Sequence, residues 1–265
     1  MIQTRLIGCK SLLTKSGITD YAVNCYVGCA HACAYCYARY MKRFTNHPEP
    51  WGTFVDVRVN APEVLAKQLR RPRPGRVFVS SVCDAWQPLE SEFGITRECV
   101  RLLAEAGYQV GALTKSALVE RDLDLLAHPN CDLGVTITTA DEKLRRQLEP
   151  GASPTAERVR VLREAARRGV KVWAFLGPFM PYLSDTQENI EALFGMLEGI
   201  PLDHYYADKL NLRPGVASSM GGFIARHYPG LGALYQELFM DEGAYQDYAR
   251  RVQERVAKAA AKYGR

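Results

Sequence analysis

Apolar and polar residues follow two rhythms along this chain, and the rhythms take turns. Short runs of strand length, rich in β-branched, aliphatic and aromatic residues, occur over 77–82, 109–114, 132–138, 171–176 and 204–207, and a shorter one over 21–26. Between them apolar residues recur at three- and four-residue spacing. The first such stretch predicts a helix over 61–70, with Pro62 in its first turn and Val64, Leu65 and Leu69 on one face. Others follow over 96–106, closed by Gly107, over 118–126, over 141–148, over 155–168, closed by Gly169, and over 185–198. Strands alternating with helices in this way argue for an α/β fold with a parallel sheet and helical crossovers. Six units fit a partial (β/α)6 barrel of the TIM type, with a doubly wound open sheet as the alternative. In either fold chemistry gathers at the carboxyl ends of the strands. Residues 1–20 show little periodicity and read as an N-terminal lead-in segment, and 21–225 as the barrel. Residues 226–265, with Leu234, Leu238, Tyr245, Tyr248 and Val252 at helical spacing, read as one or two amphipathic helices packed on it.

Size and composition agree with this picture and narrow it. A chain of 265 residues that is 47% apolar is ordinary for one α/β barrel and can bury a sizeable core. No apolar run reaches the length of a membrane span, and the first residues lack the layout of a secretory signal. Eight cysteines without secretion point to a reducing cytoplasm, where free thiols and metal thiolates persist. The net charge of +5 is a mild bias, compatible with an anionic substrate and too small to mark a nucleic-acid binder. The basic run over 70–76 precedes a strand, so it belongs to the non-catalytic end and reads as a solvated connection. The arginines of the 155–168 helix read as a solvent face.

One stretch departs from both rhythms. In NCYVGCAHACAYCYARY, residues 24–40, Cys29, Cys33 and Cys36 are spaced Cys-x3-Cys-x2-Cys on one short loop after the first strand. Three thiolates can hold three irons of a [4Fe-4S] cluster and leave the fourth open to an exogenous ligand. Packing explains three cysteines so close together poorly. A zinc site needs a fourth ligand, which Cys25 or His31 could supply, and a disulfide framework is at odds with the compartment. Cys9, Cys25, Cys99 and Cys131 show no second cluster spacing, so one cluster is expected.

This spacing, with an aromatic residue after the last cysteine, resembles the signature of the radical S-adenosylmethionine (SAM) enzymes. The resemblance implies a partial barrel and a [4Fe-4S] cluster on Cys29, Cys33 and Cys36. It further implies SAM at the open iron, an external one-electron reductant of flavodoxin or ferredoxin type, and reductive cleavage of SAM to a 5′-deoxyadenosyl radical that abstracts a hydrogen atom from a substrate.

The strand ends supply candidates for the rest of the site. SSVCDAWQPLE follows the second strand, and Asp84 is the candidate acceptor for the SAM amino group. Lys115 and Ser116 follow the third strand and are placed to grip a carboxylate. Thr136, Thr138 and Thr139 end the fourth, where hydroxyls can bond ribose or carboxylate. Lys209, Asn211 and Arg213, in DKLNLRPG after the sixth, are candidate substrate contacts. Together with the cysteine motif and VTITTADEKLRRQLEP, these segments look like the spore photoproduct lyase-like branch of the superfamily, over about residues 10–215. That resemblance places the family's framing aromatics on Tyr35 and Tyr37 and its SAM-carboxylate lysine on Lys115. It makes Tyr37 and Cys83 the catalytic candidates, yet the branch's hydrogen-donor cysteine falls on Ser81. Cys83 stands two residues further on, roughly 7 Å along a strand. DNA lesion repair is therefore one alternative, with nucleic acid left open as a partner, and a zinc-binding or electron-carrier module is the alternative of another class. No membrane partner is expected.

Overall fold

The computed structural model describes residues 2–70 and 74–265. Ten strands form two sheets among the described residues: β1 (Gln3–Ile7), β2 (Thr14–Lys15), β3 (Tyr21–Val23), β4 (Tyr26–Val27), β5 (Phe54–Arg58), β6 (Arg76–Val79), β7 (Gln109–Thr114), β8 (Cys131–Ile137), β9 (Lys171–Phe179) and β10 (His204–Lys209). The larger sheet has the order β10-β9-β8-β7-β6-β3-β2. From β3 through β6 to β10 every pairing is parallel, and only β2 runs antiparallel, on the edge beside β3. Six parallel strands in sequential order joined by helices are the partial (β/α)6 barrel that the hydrophobic pattern implies.

Burial alternates along the inner strands as a one-sided covering by helices requires. Val77 and Val79, Val110 and Ala112, Leu133 and Val135, and Val172 and Ala174 are fully buried under the helices. Their neighbours Phe78, Leu113 and Phe175 are only partly buried and line the concave face. Gly134 lies on that face because the Trp173 ring occupies its space: a Cβ there would sit 2.4 Å from the indole. At the amino end of the strands Arg76 pairs with Asp132 at 2.6 Å, and Trp173 Nε1 donates to the same carboxylate at 2.8 Å, which ties β6, β8 and β9 into a floor.

The predicted helices form close to their expected limits, at Ala61–Leu69, Ile95–Glu105, Glu142–Leu148, Thr155–Arg167 and Gln187–Met196. The stretch 118–126 divides into a 3-10 helix, Ala117–Asp122, and one α-helical turn, Leu123–Leu126. Residues 1–20 are more ordered than their weak periodicity predicts. β1 pairs in parallel with β5, which in turn pairs antiparallel with β4, so the lead-in is part of a second, three-stranded sheet. That pairing is long-range, and β1 is mostly exposed, so no alternation of burial announced it. The helix Val216–His227 and the 3-10 helix Tyr37–Phe44 were likewise not predicted.

The carboxy-terminal segment folds as Gly232–Met240 and Glu242–Lys262. Tyr248 fastens the second of these to the barrel, its hydroxyl donating to Phe179 O and accepting from Leu210 N at 2.7 Å. The basic run over 70–76 falls largely on residues 71–73, which lie outside the described residues. No helix among the described residues is long and apolar enough to cross a membrane.

Candidate metal centre

The cysteine loop begins where β3 ends and reaches its position by way of β4, which is held against β5. Its backbone is pinned from several sides. Ala30 N donates to Gln87 Oε1 at 2.8 Å and Ala34 N to Leu148 O at 2.8 Å. Gly151 N reaches His31 O at 3.1 Å, and the Ala34 carbonyl accepts from Ser219 Oγ at 2.7 Å. Arg39 Nη2 donates to Cys33 O at 2.8 Å. Two glycines permit the close approach: a Cβ on Gly151 would lie 2.2 Å from Ala30 O, and one on Gly52 would lie 2.8 Å from the Ala32 Cβ. These contacts hold the loop's backbone in place while its cysteine side chains remain free thiols.

Cys29 and Cys33 are buried, Cys36 is half-buried, and all three are free thiols. Burial pushes the Cys33 thiol up to about 12 and the Cys29 thiol well above its ordinary range, so both are neutral until a metal displaces their protons. No three ligating side chains among the described residues converge on one ion. A cluster that takes one thiolate per iron has no need of such convergence. The candidates for a fourth zinc ligand are placed otherwise: Cys25 is fully buried near Cys99, and His31 turns Nδ1 to Asp84 Oδ2 at 3.4 Å. Burial lowers the His31 imidazole below its ordinary value despite that carboxylate.

Only three buried side-chain polar atoms among the described residues lack a hydrogen-bond partner: Arg39 Nε, Trp51 Nε1 and Ser80 Oγ. Arg39 and Trp51 border this loop, and Ser80 lies at the end of β6. Arg39 follows Cys36 by one turn, and Trp51 packs with Cys29. Ser80, in a left-handed conformation at φ +62°, borders the Cys83 thiol without a hydrogen bond of normal geometry. Orphaned donors are rare in folded proteins and each needs an explanation. Two such donors, Arg39 Nε close after Cys36 and Trp51 Nε1 beside Cys29, fit a polar, sulfur-rich group in this place.

Asp84 is buried, and its hydrogen bonds show what it holds. Oδ1 accepts from Trp86 N at 2.9 Å and Thr114 Oγ1 at 2.7 Å, and Oδ2 accepts from Lys115 N at 2.8 Å and faces His31. A carboxylate has about four acceptor positions, and three of them are taken by these hydrogen bonds. The geometry makes Asp84 a fastener between the end of β6, β7 and the cysteine loop.

Lys115 emerges from β7 with its ammonium 5.8 Å from the centre of the Tyr35 ring. Burial opposes its charge, but Cys33 and the carboxylates of Glu149 and Asp84 outweigh burial and hold its pKa above the ordinary lysine value. Ser116 Oγ accepts from Leu118 N and so caps the 3-10 helix, leaving its own hydrogen for a ligand. Thr136 keeps its hydroxyl uncommitted among the described residues. Thr138 and Thr139 do not: Thr138 Oγ1 contacts Glu149 Oε1 at 2.7 Å and Gly177 O at 3.1 Å, and Thr139 Oγ1 contacts Asn189 Oδ1 at 2.9 Å. Both are fully buried supports.

Tyr37 is 43% exposed, and its hydroxyl donates to Ser81 O, joining the cysteine loop to the end of β6. Burial of the hydroxyl raises its pKa. Cys83 packs beside Cys29 and Cys36, and burial raises its thiol to about 12. Arg213 is exposed and close enough to Tyr37 to act on its charge, which puts it at the mouth, and Asn211 is exposed on the same loop. Lys209 departs from expectation. It lies 5.9 Å from the Tyr245 ring, in the cleft between β10 and the last helix, and so on the outer side of the sheet. A register shift between Ala207 and Lys209 is part of the cause.

The structure adds residues that sequence reasoning passed over. Glu149 and Arg158 form an ion pair with both side chains wholly buried, and the Tyr35 hydroxyl donates to Glu149. Arg158 also donates to Ser153 O at 2.7 Å and Thr136 O at 3.1 Å. Its reading as part of a solvent face is therefore corrected. The signal was present, because Arg158 shares helical spacing with Val161, Leu162 and Ala165, all of them buried.

A comparison with known families decides between the chemistries this loop could serve. Residues 23–195 match the radical SAM superfamily. The chain belongs to that superfamily. Relatives include an uncharacterized protein of Methanocaldococcus jannaschii, 30% identical over 246 residues that span 92% of this chain and 89% of that one. An uncharacterized protein of Mycobacterium tuberculosis is 30% identical over 270 residues, 96% of this chain and 79% of that one. Among solved structures, a spore photoproduct lyase variant with bound AdoMet and dinucleoside spore photoproduct superposes with a TM-score of 0.73 at 15% identity, covering 98% of this chain and 78% of that one. At that identity the likeness is one of fold. The radical SAM partial barrel with carboxy-terminal helices is common to both, and a superfamily member of this kind uses a [4Fe-4S] cluster and SAM.

Proposed function

We propose that the chain binds one [4Fe-4S] cluster through Cys29, Cys33 and Cys36, cleaves SAM reductively and abstracts a hydrogen atom from a substrate held in the mouth of the barrel. The observation that carries this reading is the three free thiols of one pinned loop, with the orphaned donors of Arg39 and Trp51 beside them, within a radical SAM fold. When bound, the cluster supplies the electron that splits SAM into methionine and a 5′-deoxyadenosyl radical.

The chain's own residues do the rest. Lys115, charged and half-buried with no ion-pair partner among the described residues, offers a point charge to the SAM carboxylate. Asp84 holds the lysine's backbone and Glu149 adds to the field that keeps it protonated. The free hydroxyls of Thr136 and Ser116 are in reach of the same mouth. Phe78, Leu113 and Phe175 give the concave face an apolar wall that keeps water from the reacting atoms. Cys83, held as a neutral thiol, stands on the cysteine side of the mouth. An external one-electron reductant of flavodoxin or ferredoxin type is required, and Arg43 and Phe44, exposed on the helix that follows Cys36, are a suitable contact for an acidic carrier.

The test is anaerobic reconstitution followed by reduction with SAM. About four irons and four sulfides per chain with release of 5′-deoxyadenosine are expected, and Cys33→Ala abolishes both. One zinc without sulfide, or SAM cleavage by Cys33→Ala, refutes the reading. The fold shared with spore photoproduct lyase supports DNA repair as a second reading, and lesion-bearing oligonucleotides assayed against undamaged ones decide it. Ser81, where that branch carries its donor cysteine, argues against carrying over the same reaction.

A further inference from the structure

The chain has three tryptophans, and their indole N–H groups are treated differently. Trp86 Nε1 donates to Asp122 Oδ2 at 2.8 Å and Trp173 Nε1 to Asp132 Oδ1 at 2.8 Å. Trp51 is 93% buried, as its 7% exposure shows, and its Nε1 has no acceptor among the described residues. Indole can only donate, and a buried donor left without a partner costs about 1–3 kcal/mol.

The surroundings of Trp51 contain sulfur and hydrocarbon. It packs with Cys29, Ala38 and Phe54, and Cys36, Met41, Val82 and Cys83 close the same cluster. Its ring meets Phe54 edge-on with centroids 5.9 Å apart. The adjoining backbone cannot give way cheaply. Gly52, at φ +97°, lies against Ala32 between two of the cysteines, and Gln3 N holds Thr53 O at 2.8 Å. The indole is thus fixed beside Cys29 with a donor that nothing among the described residues satisfies.

We propose that Trp51 Nε1–H donates a hydrogen bond to sulfur of the bound cluster, either the Cys29 thiolate or a sulfide beside it. Trp51 is then a positioning residue that tunes the centre. This rests on the reading of Cys29, Cys33 and Cys36 as cluster ligands. A hydrogen bond to sulfur favours the reduced, more negative state, so it raises the reduction potential.

The test uses full-length protein reconstituted anaerobically in D2O with iron and sulfide, comparing wild type with Trp51→Phe and with Trp173→Phe, whose indole lies at the far end of the barrel. Iron and sulfide content is measured first. Trp51→Phe is expected to hold the cluster but to disfavour its one-electron reduction about tenfold, a shift of about 59 mV to more negative potential. Pulsed electron-nuclear double resonance on the reduced cluster should lose one exchangeable deuteron coupling in Trp51→Phe and keep it in Trp173→Phe. An unchanged potential and deuteron coupling in Trp51→Phe overturn the proposal. If that variant does not fold, wild-type protein carrying indole-15N tryptophan decides: couplings from one indole 15N and its deuteron support the hydrogen bond, and their absence overturns it. Wild-type protein that takes up no iron and sulfide overturns the ligand reading as well, and the metal count tells that failure from the first.

Discussion

Replacing Glu149 with glutamine tests how the site is held up. In the native protein its carboxylate is wholly buried against Arg158 and accepts from Tyr35 and Thr138. Burial pushes its pKa up, but Arg158 and Lys115 outweigh burial and lower it from 4.5 to about 2. A depression of that size corresponds to about 3 kcal/mol of stability at neutral pH. Breaking a buried ion pair from one side gives a similar figure by another route, about 3–5 kcal/mol, because the remaining charge is stranded. Glu149→Gln should therefore lose about 3 kcal/mol in urea unfolding of the metal-free protein at pH 7.

The pH dependence follows from the direction of the shift. Glu149 binds its proton less readily folded than unfolded, so its contribution is fully present above pH 4.5 and lost as pH falls from there toward 2. The gap between wild type and variant should be flat from pH 7 to 5 and narrow below. Adding Arg158→Met to the variant should restore part of the loss, since the stranded charge is gone. A loss under about 1 kcal/mol, or a gap that does not change on acidification, would refute the account of Glu149 as the charged keystone under Tyr35.

Other consequences can be checked as directly. Gly151→Ala places a Cβ 2.2 Å from Ala30 O, so it should cost about 1–3 kcal/mol and lower the iron retained, while far-UV circular dichroism stays near wild type. Lys115→Met should leave iron and sulfide content unchanged but weaken SAM binding about tenfold or more, read from the change SAM induces in the spectrum of the reduced cluster. With its thiol raised to about 12, Cys33 in the metal-free protein should be alkylated by iodoacetamide at pH 8 about a thousandfold more slowly than free cysteine. Its rate should climb about tenfold per pH unit. A rate equal to that of free cysteine would show the loop to be open.

The parallel barrel was readable because each of its units advertises itself locally. β7 formed over the very residues expected, and Asp141, at the start of its predicted helix, caps it by accepting from Lys143 N and Leu144 N. The cysteine spacing was readable for the same reason, since three cysteines on one loop need no tertiary partner to be noticed. β1 was not, because its only pairing among the described residues is with β5, some fifty residues away, and an exposed strand carries no burial pattern.

The roles of the polar residues depended on what folding brought beside them. Asp84, Thr138 and Thr139 had the right chemistry at the right strand ends, yet their oxygens are spent on neighbours that become adjacent only in the folded chain. Asp84 engages the backbone of Lys115, whose ammonium lies over the Tyr35 ring with no ion-pair partner among the described residues. Glu149 and Arg158 became visible as a pair only when both were seen buried. Local pattern therefore sufficed for the parallel sheet of the barrel, its crossover helices and the cysteine loop, whose signals lie within a few residues of one another. Which polar groups support the site and which remain free for a ligand is settled by contacts between distant segments, and those arise only when the barrel packs.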